Sequence, residues 1–140
     1  MTDIGPQELA DRYVAVWNEP DAKLRRKAIH ELWAEDGVHI LQPPQEIRKA
    51  AVGLGFTSTT LKARGHNALE VRVTRAYKEF VAPGQFIFKA RDNTDRLDNV
   101  VKFNWDMVSP GGDEVAGTGL EILIFDEHGR IKTDYQFIEG

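Results

Sequence analysis

Glu114–Glu139 reads EVAGTGLEILIFDEHGRIKTDYQFIE, and the architecture turns on how this stretch pairs with itself. Val115 to Phe125 is rich in β-branched and aliphatic residues, and Ile131 to Ile138 alternates apolar with polar. Both are signatures of strands. Between them lies Asp126-Glu127-His128-Gly129, with Gly129 where a tight turn needs a left-handed residue. The stretch is therefore a long hairpin, and its register decides which side chains share a face. If all four turn residues are loop, Phe125 faces Arg130 and Glu121 stands opposite Asp134, about 5 Å apart on one face. Two carboxylates so placed repel, and one is driven to keep its proton. A three-residue loop sets Glu121 opposite Tyr135 instead.

The strand before the hairpin is Val100 to Ser109. One face carries Val101, Phe103, Trp105 and Met107; the other carries Lys102, Asn104 and Asp106. Pro110-Gly111-Gly112 turns it into the hairpin. A two-residue turn sets Asn104 opposite Gly119 and Asp106 opposite Gly117, leaving room for a ligand beside polar groups. A three-residue turn sets Phe103 and Trp105 over those glycines, which is ordinary packing. Both registers stand open. Upstream, Phe86 to Ala90 begins a strand that extends towards the polar run Arg91 to Asn99.

The N-terminal half reads as helices. Pro6 suits a first helical position, and Leu9, Tyr13 and Trp17, with Val16 beside them, form one apolar stripe to Trp17. Asn18-Glu19-Pro20-Asp21 breaks the chain. A second helix runs to about Ala34, with Leu24, Ala28, Ile29, Leu32 and Trp33 apolar and Lys23, Arg25, Arg26 and Lys27 as its solvated face. Gly37 to Leu41 is a short strand with His39 and Leu41 on one face. A third helix, Asn67 to Val81, turns Leu69, Val73, Tyr77 and Phe80 inward before Ala82-Pro83-Gly84 stops it. Between these, residues 42–65 hold a short helix from Pro43-Pro44 to about Val52. That segment is either a pocket lid or a surface excursion. The sum is α+β: three N-terminal helices packed on a curved, mainly antiparallel sheet.

Three stretches carry a family resemblance. FDEHGRI, with Glu121 four residues before its phenylalanine, resembles the last hairpin of ketosteroid isomerase. ADRYVAVWNEPD on the first helix and LWAEDGVHI leading into the first strand follow in order. Together they resemble the nuclear-transport-factor-2-like superfamily, which includes ketosteroid isomerases and SnoaL-like polyketide cyclases. The resemblance implies a cone-shaped α+β barrel over residues 1–140 as a single SnoaL-like domain, dimerising through its outer sheet face. It implies that Tyr13 matches the tyrosine that helps form the isomerase's oxyanion hole. It places Leu41 where the isomerase has its general-base aspartate. Leucine cannot take a proton, which argues against steroid-type isomerisation. Such a fold hosts many chemistries.

Composition bounds the rest. The chain has 140 residues, a net charge of −4 and no cysteine. Disulfides and thiol chemistry are excluded, and an acidic chain is a poor nucleic-acid binder. No apolar run approaches a membrane span, and the N-terminus lacks a signal peptide's core. A cytoplasmic protein is expected. The histidines show no metal-ligand spacing, so neither metal nor other cofactor is expected. The expected activity is acid–base chemistry on a small, largely apolar molecule, with plain ligand binding as the alternative. Asp134 is the candidate base and Glu121 the neutral donor, or the reverse, working with Tyr13 unless that tyrosine is simply core. His39 is either a second acid or base, or a structural histidine. The candidate lining is Trp17, Trp33, Leu41, Phe80 and Gln136, with Asn104 and Asp106 if the two-residue turn holds.

Overall fold

The computed structural model describes residues 5–56, 60–111 and 114–139. Helix α1 (Pro6–Asn18) buries the expected stripe of Leu9, Tyr13, Val16 and Trp17. Its last residue clamps it to the sheet: the Asn18 amide donates to Phe88 O at 2.7 Å and accepts from Phe88 N at 2.8 Å. Helix α2 (Ala22–Leu32) starts at Asp21, whose carboxylate accepts from the amides of Lys23 and Leu24. Such a cap stabilises a helix by about 1 kcal/mol.

Two expectations for α2 are corrected. Trp33 and Ala34 are strand, not helix, because β1 runs over Trp33–Gln42. Leu24 is exposed and Arg25 is buried. The Arg25 guanidinium donates to the carbonyls of Glu19 and Pro20 and to Thr74 Oγ1, and stacks 4.5 Å above the Tyr77 ring. A basic residue that finds carbonyls and an aromatic face can be buried where an unpaired one cannot.

Helix α3 (Gln45–Gly53), the short helix expected after Pro43-Pro44, buries none of its residues. Strand β2 (Leu61–Arg64), which the local sequence pattern does not announce, pairs antiparallel with β1. Helix α4 (His66–Ala76) continues as a π-helical turn over Tyr77–Val81, closed by Ala82 N–H donating to Tyr77 O at 2.8 Å. Leu69 and Val73 are buried as expected, but Tyr77 turns under Arg25.

The remaining strands are β3 (Ile87–Ala90), β4 (Asp95–Leu97), β5 (Val100–Val108), β6 (Val115–Phe125) and β7 (Ile131–Glu139). The sheet order is β2-β1-β7-β6-β5-β3, with β4 also pairing with β5. The β1–β7 pair is parallel and the rest are antiparallel. The expected barrel is corrected to an open cone: β2 and β3 are edges of one curved sheet and do not pair with each other. The aromatic core of Tyr13, Trp33, Phe103 and Trp105 fills the space between helices and sheet. No helix among the described residues is long and apolar enough to cross a membrane.

Candidate functional site

The final hairpin sets the site. Its loop is longer than expected: Phe125 pairs with Ile131, not Arg130. Asp126 fastens this loop by accepting from the amides of His128 and Arg130, with Gly129 at φ 78°. A bulge between Ile124 and Phe125 then adds a second one-residue shift. Glu121 therefore stands opposite Gln136, and Asp134 opposite Leu123. The expected Glu121–Asp134 opposition is corrected. Two one-residue shifts preserve the period-two alternation, however, so both acids still face inward. They are diagonal neighbours.

Tyr13 joins them. Its hydroxyl lies 2.5 Å from Asp134 Oδ2 and 3.0 Å from Glu121 Oε2. One phenol proton serves one acceptor at a time. Glu121 Oε1 already accepts from Trp105 Nε1–H at 2.9 Å and from the Gln136 amide. The pattern closes if Glu121 carries a proton on Oε2 and donates it to Tyr13, while Tyr13 donates to Asp134. Burial, and then the neighbouring Asp134 charge, push the Glu121 carboxyl well above its usual range. Burial and both acids push the Tyr13 phenol well above its usual value. Tyr13, Glu121 and Asp134 are each at most 1% exposed.

His39 stands beside Asp134 across the parallel β1–β7 pair. Its Nδ1 meets Arg72 Nη1 at 3.0 Å. A guanidinium only donates, so Nδ1 is the acceptor and Nε2 bears the ring proton. Burial lowers the His39 pKa to about 4; the Arg72 charge adds to this and Asp134 opposes it. At neutral pH His39 is therefore a neutral donor with its Nε2 proton and not a base. Nε2 and Asp134 Oδ1 have no hydrogen-bond partner among the described residues.

A cavity of about 540 Å³ opens above this cluster. Trp17, Leu41, Phe80, Phe88, Trp105 and Met107 are among its apolar lining residues, Tyr13, His39, Arg72 and Gln136 are among its polar ones, and Thr118 and Glu139 border it as well. Of the residues expected there, Tyr13, Trp17, His39, Leu41, Phe80 and Gln136 line it. Trp33 does not: it is fully buried with its ring 5.5 Å from that of Tyr13. Glu121 and Asp134 are absent from the lining and lie in the layer behind it.

Asn104 and Asp106 are corrected. Trp105 pairs with Gly119 and Met107 with Gly117, which turns both polar side chains to the other face. There Asp106 pairs with Arg91 at 2.7 Å and Asn104 bonds Asn93 and Glu139. The turn itself includes Gly112, which lies outside the described residues. Gly119 admits Trp105: a Cβ there would run into Trp105 Cζ2 and Cε2. From the 42–65 segment Pro44 lines the cavity; residues 57–59 lie outside the described residues.

A ring nitrogen of His39 and oxygens of Glu121 and Asp134 lie within 4.8 Å of one another, spacing that suits a cation. The hydrogen bonds argue otherwise. Ligation through Nε2 needs the other tautomer and loss of the Arg72 bond, and a protonated Glu121 is a poor ligand. The cluster fits a shared proton better than a metal.

Sequence pattern does not point to Arg72 and leaves Trp105 undecided. Arg72 adjoins the inward residue Val73, but nothing in its own neighbourhood marks it. Trp105 belongs to one of the two open registers.

The comparisons agree on the fold. A candidate isomerase of the SnoaL-like family from Agrobacterium tumefaciens matches with a TM-score of 0.75 and 25% identity, over 96% of this chain and 97% of that one. A SnoaL-like protein of unknown function from Burkholderia thailandensis matches at 0.67 and 16%, over 100% and 99%. A protein of unknown function from an Exiguobacterium species, described as NTF2-like, matches at 0.58 and 12%, over 94% and 98%. No protein-family model and no curated protein matches the chain.

Proposed function

Since this chain belongs by fold to the nuclear-transport-factor-2-like superfamily, which includes the SnoaL-like proteins, we propose that its cavity binds a small, largely apolar organic molecule and performs acid–base chemistry on it. The carrying observation is the buried Tyr13–Asp134–Glu121 set beneath an apolar cavity. Such a set holds one proton ready to move, and a dry apolar wall strengthens its electrostatics. Tyr13 reaches the cavity; Asp134 stands behind it. A guest proton passes to the Tyr13 oxygen as the Tyr13 proton passes to Asp134, and the reverse step returns one to the guest. Glu121, kept neutral, donates to the Tyr13 oxygen throughout. His39 acts as a neutral donor. Leu41, in the wall, supplies no base.

A second reading, a binding module without chemistry, is favoured by one observation: neither acid lines the cavity. Proton exchange separates the two. An apolar cyclic ketone such as tert-butylcyclohexanone, incubated with the protein in deuterium oxide, is followed by NMR. Exchange of its α-protons that Asp134→Asn abolishes supports catalysis. Quenching of Trp17 and Trp105 fluorescence with no exchange leaves only binding, and no quenching refutes the cavity reading altogether.

For the same chain we propose a homodimer through the outer sheet face. Leu120 pairs with Phe137 and Ile122 with Tyr135 on that side, where Tyr135 is 37% exposed. An apolar sheet face of this kind is commonly covered by a second copy. Light scattering should give a dimer mass, and Ile122→Lys a monomer that keeps its fold. A native monomer at micromolar concentration refutes it.

A further inference from the structure

Arg72 is a cation in the wall of a largely apolar cavity. One edge of its guanidinium is spent on fixing structure: Nη1 meets His39 Nδ1 at 3.0 Å, His39 O at 3.2 Å and Leu61 O at 3.1 Å. The other edge, Nε with Nη2, has no partner among the described residues, and no carboxylate there forms an ion pair with it. Other arginines differ: Arg26 pairs with Glu70 and Arg91 with Asp106 at 3.0 and 2.7 Å, while Arg25 is surrounded by carbonyls. Burial pushes the Arg72 pKa below its usual value, and the Asp134 charge that opposes this comes from behind His39. A half-buried guanidinium keeps its charge. It is held flat against β1 and β2 by the Nη1 bonds, so its free edge is a preformed fork. Planar forks of this kind match the two oxygens of a carboxylate.

We propose that the guest of this cavity is an amphipathic carboxylic acid, whose carboxylate pairs with the Nε–Nη2 edge of Arg72 while its apolar body lies against Trp17, Phe80, Phe88, Trp105 and Met107. This deepens the cavity reading above and rests on it. Glu139 borders the cavity, but its carboxylate does not compete for Arg72; it lies on the other face of the sheet, accepting from Asn104 Nδ2 at 2.9 Å. Arg72 thus plays two parts. By holding Nδ1 it sets the His39 tautomer, and by its free edge it orients the guest.

Two isosteric probes, para-butylbenzoate and its neutral amide, are compared by titration calorimetry at low salt. The native protein should bind the benzoate about tenfold or more tightly than the amide, the gain expected of a charge-assisted fork. Arg72→Gln should erase that preference while amide affinity stays within about threefold. Arg72→Lys, which keeps the charge but not the fork, should fall between. Equal binding of the two probes by the native protein overturns the carboxylate assignment and leaves the cavity reading intact. Loss of amide binding in Arg72→Gln to the same extent as benzoate assigns Arg72 a purely structural part and also overturns it. Failure of both probes to bind the native protein refutes the cavity reading itself.

Discussion

Tyr13 donates its hydroxyl to Asp134 across 2.5 Å, from the middle of α1 to the middle of β7. It is the Asp134 partner among the described residues on that oxygen, the other oxygen having none. Tyr13→Phe therefore leaves a buried carboxylate unsatisfied. Stability at pH 7 should fall by about 1–3 kcal/mol in urea denaturation. A loss too small to measure means that the phenol and carboxylate do not bond in the folded protein.

Glu121→Gln should do the opposite at neutral pH. An amide oxygen still accepts from Trp105 and Gln136, and its N–H still donates to Tyr13. The sign follows from the raised pKa of Glu121. A carboxyl raised in the folded state stabilises fully below its unfolded value of about 4, and that contribution disappears as pH rises through the folded value. The variant lacks this loss. It should match the native protein near pH 4 and be the more stable of the two at pH 8. Parallel stability–pH curves for the two proteins contradict a neutral Glu121.

His39 slopes the other way. Its pKa falls to about 4 in the fold, against about 6.5 unfolded. A depressed pKa gives stability that is present above the unfolded value and lost as pH falls towards the folded one. Between pH 6.5 and 4 the native protein should lose about 3 kcal/mol through this group. His39→Gln should not show that component. The comparison between variant and native curves isolates it. A His39 ring that titrates near 6.5 by NMR rules out the dry, Arg72-bonded setting.

Gly119→Ala tests the packing that holds Glu121. A methyl at this position runs into the Trp105 ring, and moving that ring aside strains its bond to Glu121. Destabilisation of about 1–3 kcal/mol is expected, with a shifted Trp105 emission. Unchanged stability and emission show that the ring lies elsewhere.

Much of this protein is written in local pattern. The stripe of Leu9, Tyr13 and Trp17 places Tyr13 inward whatever the rest of the chain does. The period-two alternation of Val115–Phe125 and Ile131–Ile138 makes the hairpin, and parity alone keeps Glu121 and Asp134 on one face even when the register is miscounted by two. Helix boundaries and pair partners were less legible. Trp33 carries an apolar pattern that suits a helix end or a strand start equally, and pairing with Ile131 on β7 decides for the strand.

What the sequence determined by itself was therefore the α+β class and the inward faces that carry Tyr13, Glu121 and Asp134, because these follow from spacings within single elements; the grouping of Tyr13 with the acids rested on the family resemblance. Three things were decided only by the tertiary structure. The bulge between Ile124 and Phe125 chose the partner of Glu121, because a one-residue insertion in a ladder depends on both strands at once. The bulge between Met107 and Val108 chose Trp105 over Asn104 and Asp106 for the cavity, because that one-residue shift sets Trp105 opposite Gly119, which leaves room for the indole. And Arg72, an unremarkable basic residue on α4, acquired its place against His39 from the packing of that helix on β1. A contact between residues 33 positions apart leaves no trace in the local pattern of either.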